Sequence, residues 1–162
     1  MLRLTILIIA CTLFVNVGYS QRKEMRKNGV TVEKDDFTGK KRKQLNLSTG
    51  KMSPLSESSI GLVKTTNGHS LYSFIYKDDW IFVESIMIKI DGEMFEFDSQ
   101  RDRREVESGG YVSEKNWYDP TPEFIKALKN AKEISYRLVG SDYYTDFDIK
   151  PKKLNAIEEY FE

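Results

Sequence analysis

Residues 80–97 read WIFVESIMIKIDGEMFEF, and this stretch decides the fold. From Trp80 to Ile90 the chain is rich in β-branched and aromatic residues, a composition suited to a pleated, half-buried strand. Ile81, Val83 and Met87 alternate against Phe82, Ile86, Ile88 and Ile90, the period of two that sends successive side chains to opposite faces. Glu84 interrupts the second of these faces. Asp91-Gly92 tolerates the positive φ angles of a tight hairpin turn, and residues 94–97 return as the partner strand.

The same grammar recurs on the N-terminal side. Residues 60–66 are β-branched, Asn67-Gly68 is a second hairpin signal, residues 71–76 return as a strand, and Lys77-Asp78-Asp79 breaks it. Two hairpins in succession predict a mostly antiparallel sheet. Residues 29–32 open a first strand, 35–39 make a turn, and Leu45 and Leu47 alternate after a basic run. Residues 48–59, rich in Ser with Gly50 and Pro54, read as a loop. Residues 101–107 are heavily charged, residues 109–112 read as a short strand or bulge, and residues 114–120 as a loop. The period changes at Thr121-Pro122-Glu123, with Thr as N-cap, Pro at the first helical position and an acid in the first turn. Phe124, Ile125, Leu128 and Ala131 then recur at helical spacing. Residues 134–139 and 143–149 read as strands, and Pro151 opens a terminal helix carrying Leu154, Ile157, Tyr160 and Phe161. The expected fold is α+β: a mostly antiparallel β-sheet or sandwich of about seven strands, one mid-chain helix and one C-terminal helix.

The first twenty residues have another character. Arg3 is their only charge, an apolar run follows, and Gly18-Tyr19-Ser20 places small residues for cleavage after Ser20. This is the layout of an export signal, and it places the protein in the periplasm or outside the cell. Two other readings compete. An uncleaved anchor needs about 20 apolar residues, and this run is short. Lipidation at Cys11 requires a lipobox, and Ile8-Ile9-Ala10-Cys11 has its outline, but the cysteine comes early and the chain beyond it stays apolar. With residues 1–20 as signal and 21–28 as a basic linker, residues 29–162 form one globular domain. Cys11 is the only cysteine, so the domain carries no disulfide and rests on its core.

The whole chain is electrically balanced, with 25 Lys or Arg against 25 Asp or Glu. That balance is no footprint of nucleic-acid binding. The charge is uneven, however: basic residues predominate in residues 21–51 and acidic ones in residues 52–162. Lys40, Lys41, Arg42 and Lys43 are therefore candidate contacts to an anionic envelope surface or polyanionic glycan.

No catalytic constellation stands out. His69 is the only histidine, it follows the Asn67-Gly68 turn and is expected at the surface, and with no cysteine in the domain a zinc site has no ligand set. Asp142, Asp146 and Asp148 are acids at short spacing, but a calcium loop needs carboxylates at alternate positions plus a Gly and a distal Glu, and here only Asp146 and Asp148 alternate. Glu84 is an acid on an otherwise apolar face, and it is the first candidate for a carboxylate-dependent hydrolase. Trp80, Trp117, Tyr118, Tyr143 and Tyr144 sit near expected loops, where aromatics stack on sugars or anchor interfaces. Asn46-Leu47-Ser48 is a glycosylation sequon. The sequence favours a non-enzymatic binding domain without cofactor or metal, contacting a protein, glycan or envelope surface through Trp80, Glu84, Trp117, Tyr118, Tyr143 and Tyr144. The alternative is a small carboxylate-dependent hydrolase. Mass spectrometry of protein recovered from an exporting host should show a chain beginning at Gln21; an intact Met1 or a lipidated Cys11 would overturn the cleavage reading.

Overall fold

A computed structural model describes residues 23–27, 29–34, 38–53, 56–66, 68–141 and 144–162. The expected export signal, Asp142 and Tyr143 lie outside the described residues. The fold is α+β, with two antiparallel sheets and two short helices. The larger sheet contains β1 (Lys23–Lys27), β2 (Val30–Lys34), β3 (Lys41–Ser53), β4 (Ser56–Thr65), β5 (Gly68–Lys77), β8 (Arg101–Val106) and β9 (Val112–Tyr118), in the order β1-β2-β3-β4-β5-β9-β8. The smaller contains β6 (Val83–Ile90), β7 (Glu93–Asp98), β10 (Ile134–Gly140) and β11 (Tyr144–Asp148), in the order β11-β10-β6-β7.

The second hairpin forms as the sequence predicts: Ile90 pairs with Glu93 across Asp91 and Gly92, whose φ angles are 50° and 96°. β4 and β5 also form a hairpin, but Gly68, expected in the turn, is already paired with Thr65, and Asn67 lies outside the described residues. The Asp91 carboxylate also accepts the backbone N–H groups of Lys132 and Glu133, which pins the entry to β10 onto the turn. Helix α1 (Pro122–Lys129) starts where expected, with Thr121 Oγ1 accepting the N–H of Phe124 at 3.2 Å. The terminal segment opens as a 3₁₀ turn (Pro151–Lys153) and becomes helix α2 only at Asn155–Phe161.

The strands are more numerous than the sequence suggests, for three local reasons. Residues 48–59 were expected to be a loop, but β3 and β4 run through them with two register shifts. Their serines fit because small polar side chains lie beneath larger neighbours: Ser58 Oγ hydrogen-bonds the Tyr136 hydroxyl of the opposite sheet at 2.7 Å. Residues 114–120 were also expected to be a loop, yet β9 extends to Tyr118. Between Val112 and Tyr118 its inward residues are the polar Glu114 and Asn116, which break the hydrophobic alternation although both are buried. Residues 101–106 form β8, an exposed edge strand whose charges discourage pairing with another chain. The strand expected to begin at Trp80 begins at Val83, because residues 80–82 cross from one sheet to the other.

One core joins the layers. Leu45, Leu62 and Leu71 of the larger sheet cluster with Ile86, Ile88 and Leu138 of the smaller. Phe124 of α1 meets Phe95 and Phe97 edge-on, and α2 packs on β2 and β3 and inserts Ala156, Ile157 and Tyr160. The crossing between sheets is held by one carboxylate. Glu114 is buried, and its Oε1 accepts the N–H groups of Ile81 at 2.5 Å and Phe82 at 3.1 Å, while its Oε2 accepts that of Val83 at 3.0 Å. Arg104 Nε approaches Oε2 at 3.4 Å. Phe82 has φ +54°, unusual for a bulky residue, and the carboxylate fixes that bend. An unsatisfied buried donor costs about 1–3 kcal/mol. Glu114→Ala is therefore expected to destabilise the domain by about 3 kcal/mol or more in urea denaturation, and Glu114→Gln, which keeps an acceptor, by less. An Ala variant within about 0.5 kcal/mol of the parent would contradict this assignment.

Candidate binding face

The alternation of β9 builds the candidate site. Glu114, Asn116 and Tyr118 turn into the core, so Ser113, Lys115 and Trp117 point out of the larger sheet. Cross-strand pairing sets two rows on that outer face. One runs Arg101, Trp117, Tyr72, Gly61, Asn46 across β8, β9, β5, β4 and β3. The other runs Arg103, Lys115, Phe74, Ser59 and Ser48.

Gly61 makes the first row fit. A Cβ there would collide with the Leu45 carbonyl and the Tyr72 hydroxyl. Without it, the Tyr72 ring lies across β4, and its hydroxyl donates to Leu45 O at 3.1 Å and accepts from Gln44 Nε2 at 3.0 Å. Burial pushes the Tyr72 phenol above its ordinary range, so it stays a neutral donor.

Cations cover these rings. The Arg101 guanidinium lies 4.3 Å from the Trp117 ring centroid. Lys115 Nζ lies 4.8 Å from that of Tyr72 and 5.3 Å from that of Trp117. Partial burial lowers the Lys115 pKa, and repulsion from Arg42, Arg103 and Arg101 lowers it further. These four cations thus share one field. Arg103 is paired with Glu105 at 2.6 Å. Among the described residues no carboxylate lies within salt-bridge distance of Arg42, Arg101 or Lys115. The face can offer preorganised donors to an anion: each ring supports the apolar side of a cation and leaves its N–H groups directed away from the sheet.

The aromatics and acids singled out from sequence are dispersed. Trp117 lies on this face. Tyr118 does not reach the surface; it is wholly buried, with its hydroxyl 2.9 Å from Ser73 Oγ, and burial raises its pKa. A contact role for Tyr118 is thereby corrected, because one residue along a strand reverses the face. Trp80 stacks on exposed Phe82 at the crossing, with centroids 5.8 Å apart. Glu84 is exposed, because the ladder shifts register beside it: Val139 pairs with Ser85 and Gly140 with Val83, leaving Glu84 as the extra residue. Tyr144 lies on the outer face of the smaller sheet beneath the Arg137 guanidinium, at 3.9 Å. Arg137 also grips Asp146 through two hydrogen bonds of 2.6 and 2.8 Å, which hold that carboxyl below its ordinary range. A cavity of about 450 Å³ on that face is lined by Met87, Lys89, Met94, Arg137, Asp146 and Asp148.

The basic run is divided by strand alternation. Lys40 and Lys41 are exposed. Arg42 joins the field over Lys115, whereas Lys43 Nζ donates to the Glu159 carbonyl at 2.7 Å and steadies the last turn of α2. Tyr72, Arg101 and Lys115 were not singled out from sequence. Their signal was alternation in residues 112–118 with Lys and Trp on one parity, masked by the polar residues on the other.

Among the described residues no group of three or more His, Cys, Asp or Glu is placed to hold a metal ion, and no helix is long and apolar enough to cross a membrane. Compared with known families, curated proteins and solved structures, the chain shows no significant match.

His69 departs from its expected exposure. It is half-buried beside the Tyr160 and Phe161 rings, each 6.1 Å away, and its buried Nε2 has no hydrogen-bond partner. Burial, then Lys64 and Lys129, lower its pKa below 6.5. The unfolded chain then binds more protons than the folded one as pH falls through 6.5, so stability is full above that value and declines below it. Urea midpoints should drop between pH 7.5 and 5.5, and His69→Gln should flatten that slope; an unchanged slope would refute the assignment.

Proposed function

We propose that the protein is an exported, non-enzymatic binding domain that holds an anionic partner on the outer face of its larger sheet. The observation that supports this most strongly is the set of cations without carboxylate partners laid over the Trp117 and Tyr72 rings. Charges of one sign gathered on one face repel each other, which an anionic ligand relieves. The rings and the buried Tyr72 hydroxyl hold the cationic side chains in place before binding, which lowers the ordering cost of association. The expected export signal puts this face where envelope surfaces and extracellular polyanions are available. The carboxylate-hydrolase alternative gains nothing from the arrangement of Glu84 at the ladder irregularity and Asp146 on Arg137.

Dextran sulfate and uncharged dextran are suitable probes. The domain should bind the first and not the second, and binding should weaken as salt rises from 50 to 300 mM. Arg101→Gln combined with Lys115→Gln should weaken it about tenfold, a loss of about 1.4 kcal/mol, with the melting temperature nearly unchanged. Absence of binding, or binding that ignores both salt and the double variant, would overturn the proposal.

A further inference from the structure

The chemistry of the outer face narrows the class of its ligand, on the premise that the face binds anions. The cations of this face are spread out. Arg101 and Arg103 lie on β8 and Lys115 on β9, while Arg42 lies on β3, four interstrand gaps from β8, about 19 Å at the usual strand spacing, and four residues along β3 from Asn46. A single small anion would leave most of that length unused, whereas a linear polyanion would follow it.

Three kinds of polyanion can be compared. Single-stranded nucleic acid is held by bases stacking on open aromatic faces. Here the Trp117 ring carries Arg101, Lys115 lies over Tyr72, and Tyr72 is only 2 % exposed, so its ring offers no open face to a base. The chain is also electrically balanced rather than basic. An anionic bilayer is gripped by basic side chains together with inserted apolar ones. Among the described residues, the exposed large apolar ones, Phe82, Met94, Val106 and Tyr144, all lie off this face: Phe82 at the crossing, Met94 and Tyr144 on the smaller sheet, and Val106 on the opposite parity of β8 from Arg101 and Arg103. A polysaccharide bearing acid groups asks for what remains. It needs cations at intervals for the acids and neutral hydrogen-bonding side chains between them for hydroxyl groups. Gln44 and Ser70 share the outward parity between Arg42 and the Arg101–Trp117 row, and Asn46 ends that row on β3. The planar guanidinium of Arg101, fixed parallel to no carboxylate of its own, matches a carboxylate through two parallel hydrogen bonds.

We infer that the ligand of this face is a linear polysaccharide bearing carboxylate groups, lying across the strands from β8 towards β3, with its acids on Arg101, Lys115 and Arg42.

The test uses the mature chain carrying Trp80→Phe, which leaves Trp117 as the only tryptophan. Three probes are compared at equal charge concentration: polygalacturonate, a 20-nucleotide oligothymidylate and phosphatidylglycerol vesicles. Polygalacturonate should change the Trp117 fluorescence and bind about tenfold more tightly than either other probe, and Arg101→Gln should remove most of that preference. Ser70→Ala, which touches neither the cations nor the Tyr72 hydroxyl, should weaken polygalacturonate binding but leave dextran sulfate binding nearly unchanged, since a role confined to charge would not involve it. Equal or tighter binding of the oligonucleotide or the vesicles would refute the polysaccharide assignment while the anion-binding reading stands. Failure of all three probes together with dextran sulfate would refute both.

Discussion

The Glu114 carboxylate is the contact on which the two-layer arrangement depends. The chain must leave β5 in one sheet and enter β6 in the other within residues 78–82, and such a crossing strips backbone N–H groups of ladder partners. Three consecutive N–H groups converge on Glu114, which takes them on two oxygens. A run of N–H groups around a left-handed residue forms a concavity that attracts an anion, and here the anion is a side chain of β9. The acid can be buried because several donors surround it. The exchange is reciprocal: the carboxylate satisfies the bend, and the bend makes the buried carboxylate tolerable.

Other polar contacts in the core work in the same way on a smaller scale. Tyr136 reaches Ser58 across the sheets, Tyr118 reaches Ser73 along its own sheet, and Tyr72 reaches the Leu45 carbonyl over a glycine. Each pairs a large ring with a small neighbour, so the ring fills volume while its hydroxyl finds a partner. In a domain without a disulfide, such pairs add direction to packing that hydrophobic burial alone leaves loose. The second crossing, from β7 to β8, uses backbone and side chain together: the Ser99 N–H still bonds to Glu84 and that of Gln100 already bonds to Trp117, while Ser99 Oγ donates to Asn116 Oδ1 at 3.1 Å.

The parts of the fold written in local chemistry could be read from the sequence. Asp91-Gly92 and Thr121-Pro122 each state a local preference, and the structure follows both. The alternation of residues 81–90 holds only from Ile86 onward, because the register shift beside Glu84 carries Ile81 and Val83 into the core with Ile86, Ile88 and Ile90 and leaves Phe82 exposed. The parts that depend on distant partners could not. Residues 114–118 read as loop because their inward side chains are polar, and the donors that let Glu114 be buried belong to a segment over thirty residues earlier. Ser58 reads as loop for the same reason, its partner being Tyr136. The candidate site is half legible in the sequence: Trp117 and Arg42 stand out there, whereas nothing local separates the face of Tyr118 from that of Trp117, because the polar residues of β9 hide the strand.

That hidden alternation ties the fold to the binding face. In a strand, a slip of one residue exchanges the two sets of side chains. For β9 such a slip would carry Lys115 and Trp117 into the core and expose Glu114 and Asn116. The contact that holds the crossing therefore also fixes which side of the sheet is cationic. Glu114 lies between Ser113 and Lys115, so the residue that anchors β9 inward is the immediate neighbour of the one presented outward. A ligand held as proposed on Lys115 and Trp117 would in this way be mechanically continuous with the core, one residue from its most constrained point. A binding face placed on a paired central strand, rather than on a loop, gives up adaptability and gains cations held at set intervals, an arrangement that suits a repeating ligand better than an irregular one.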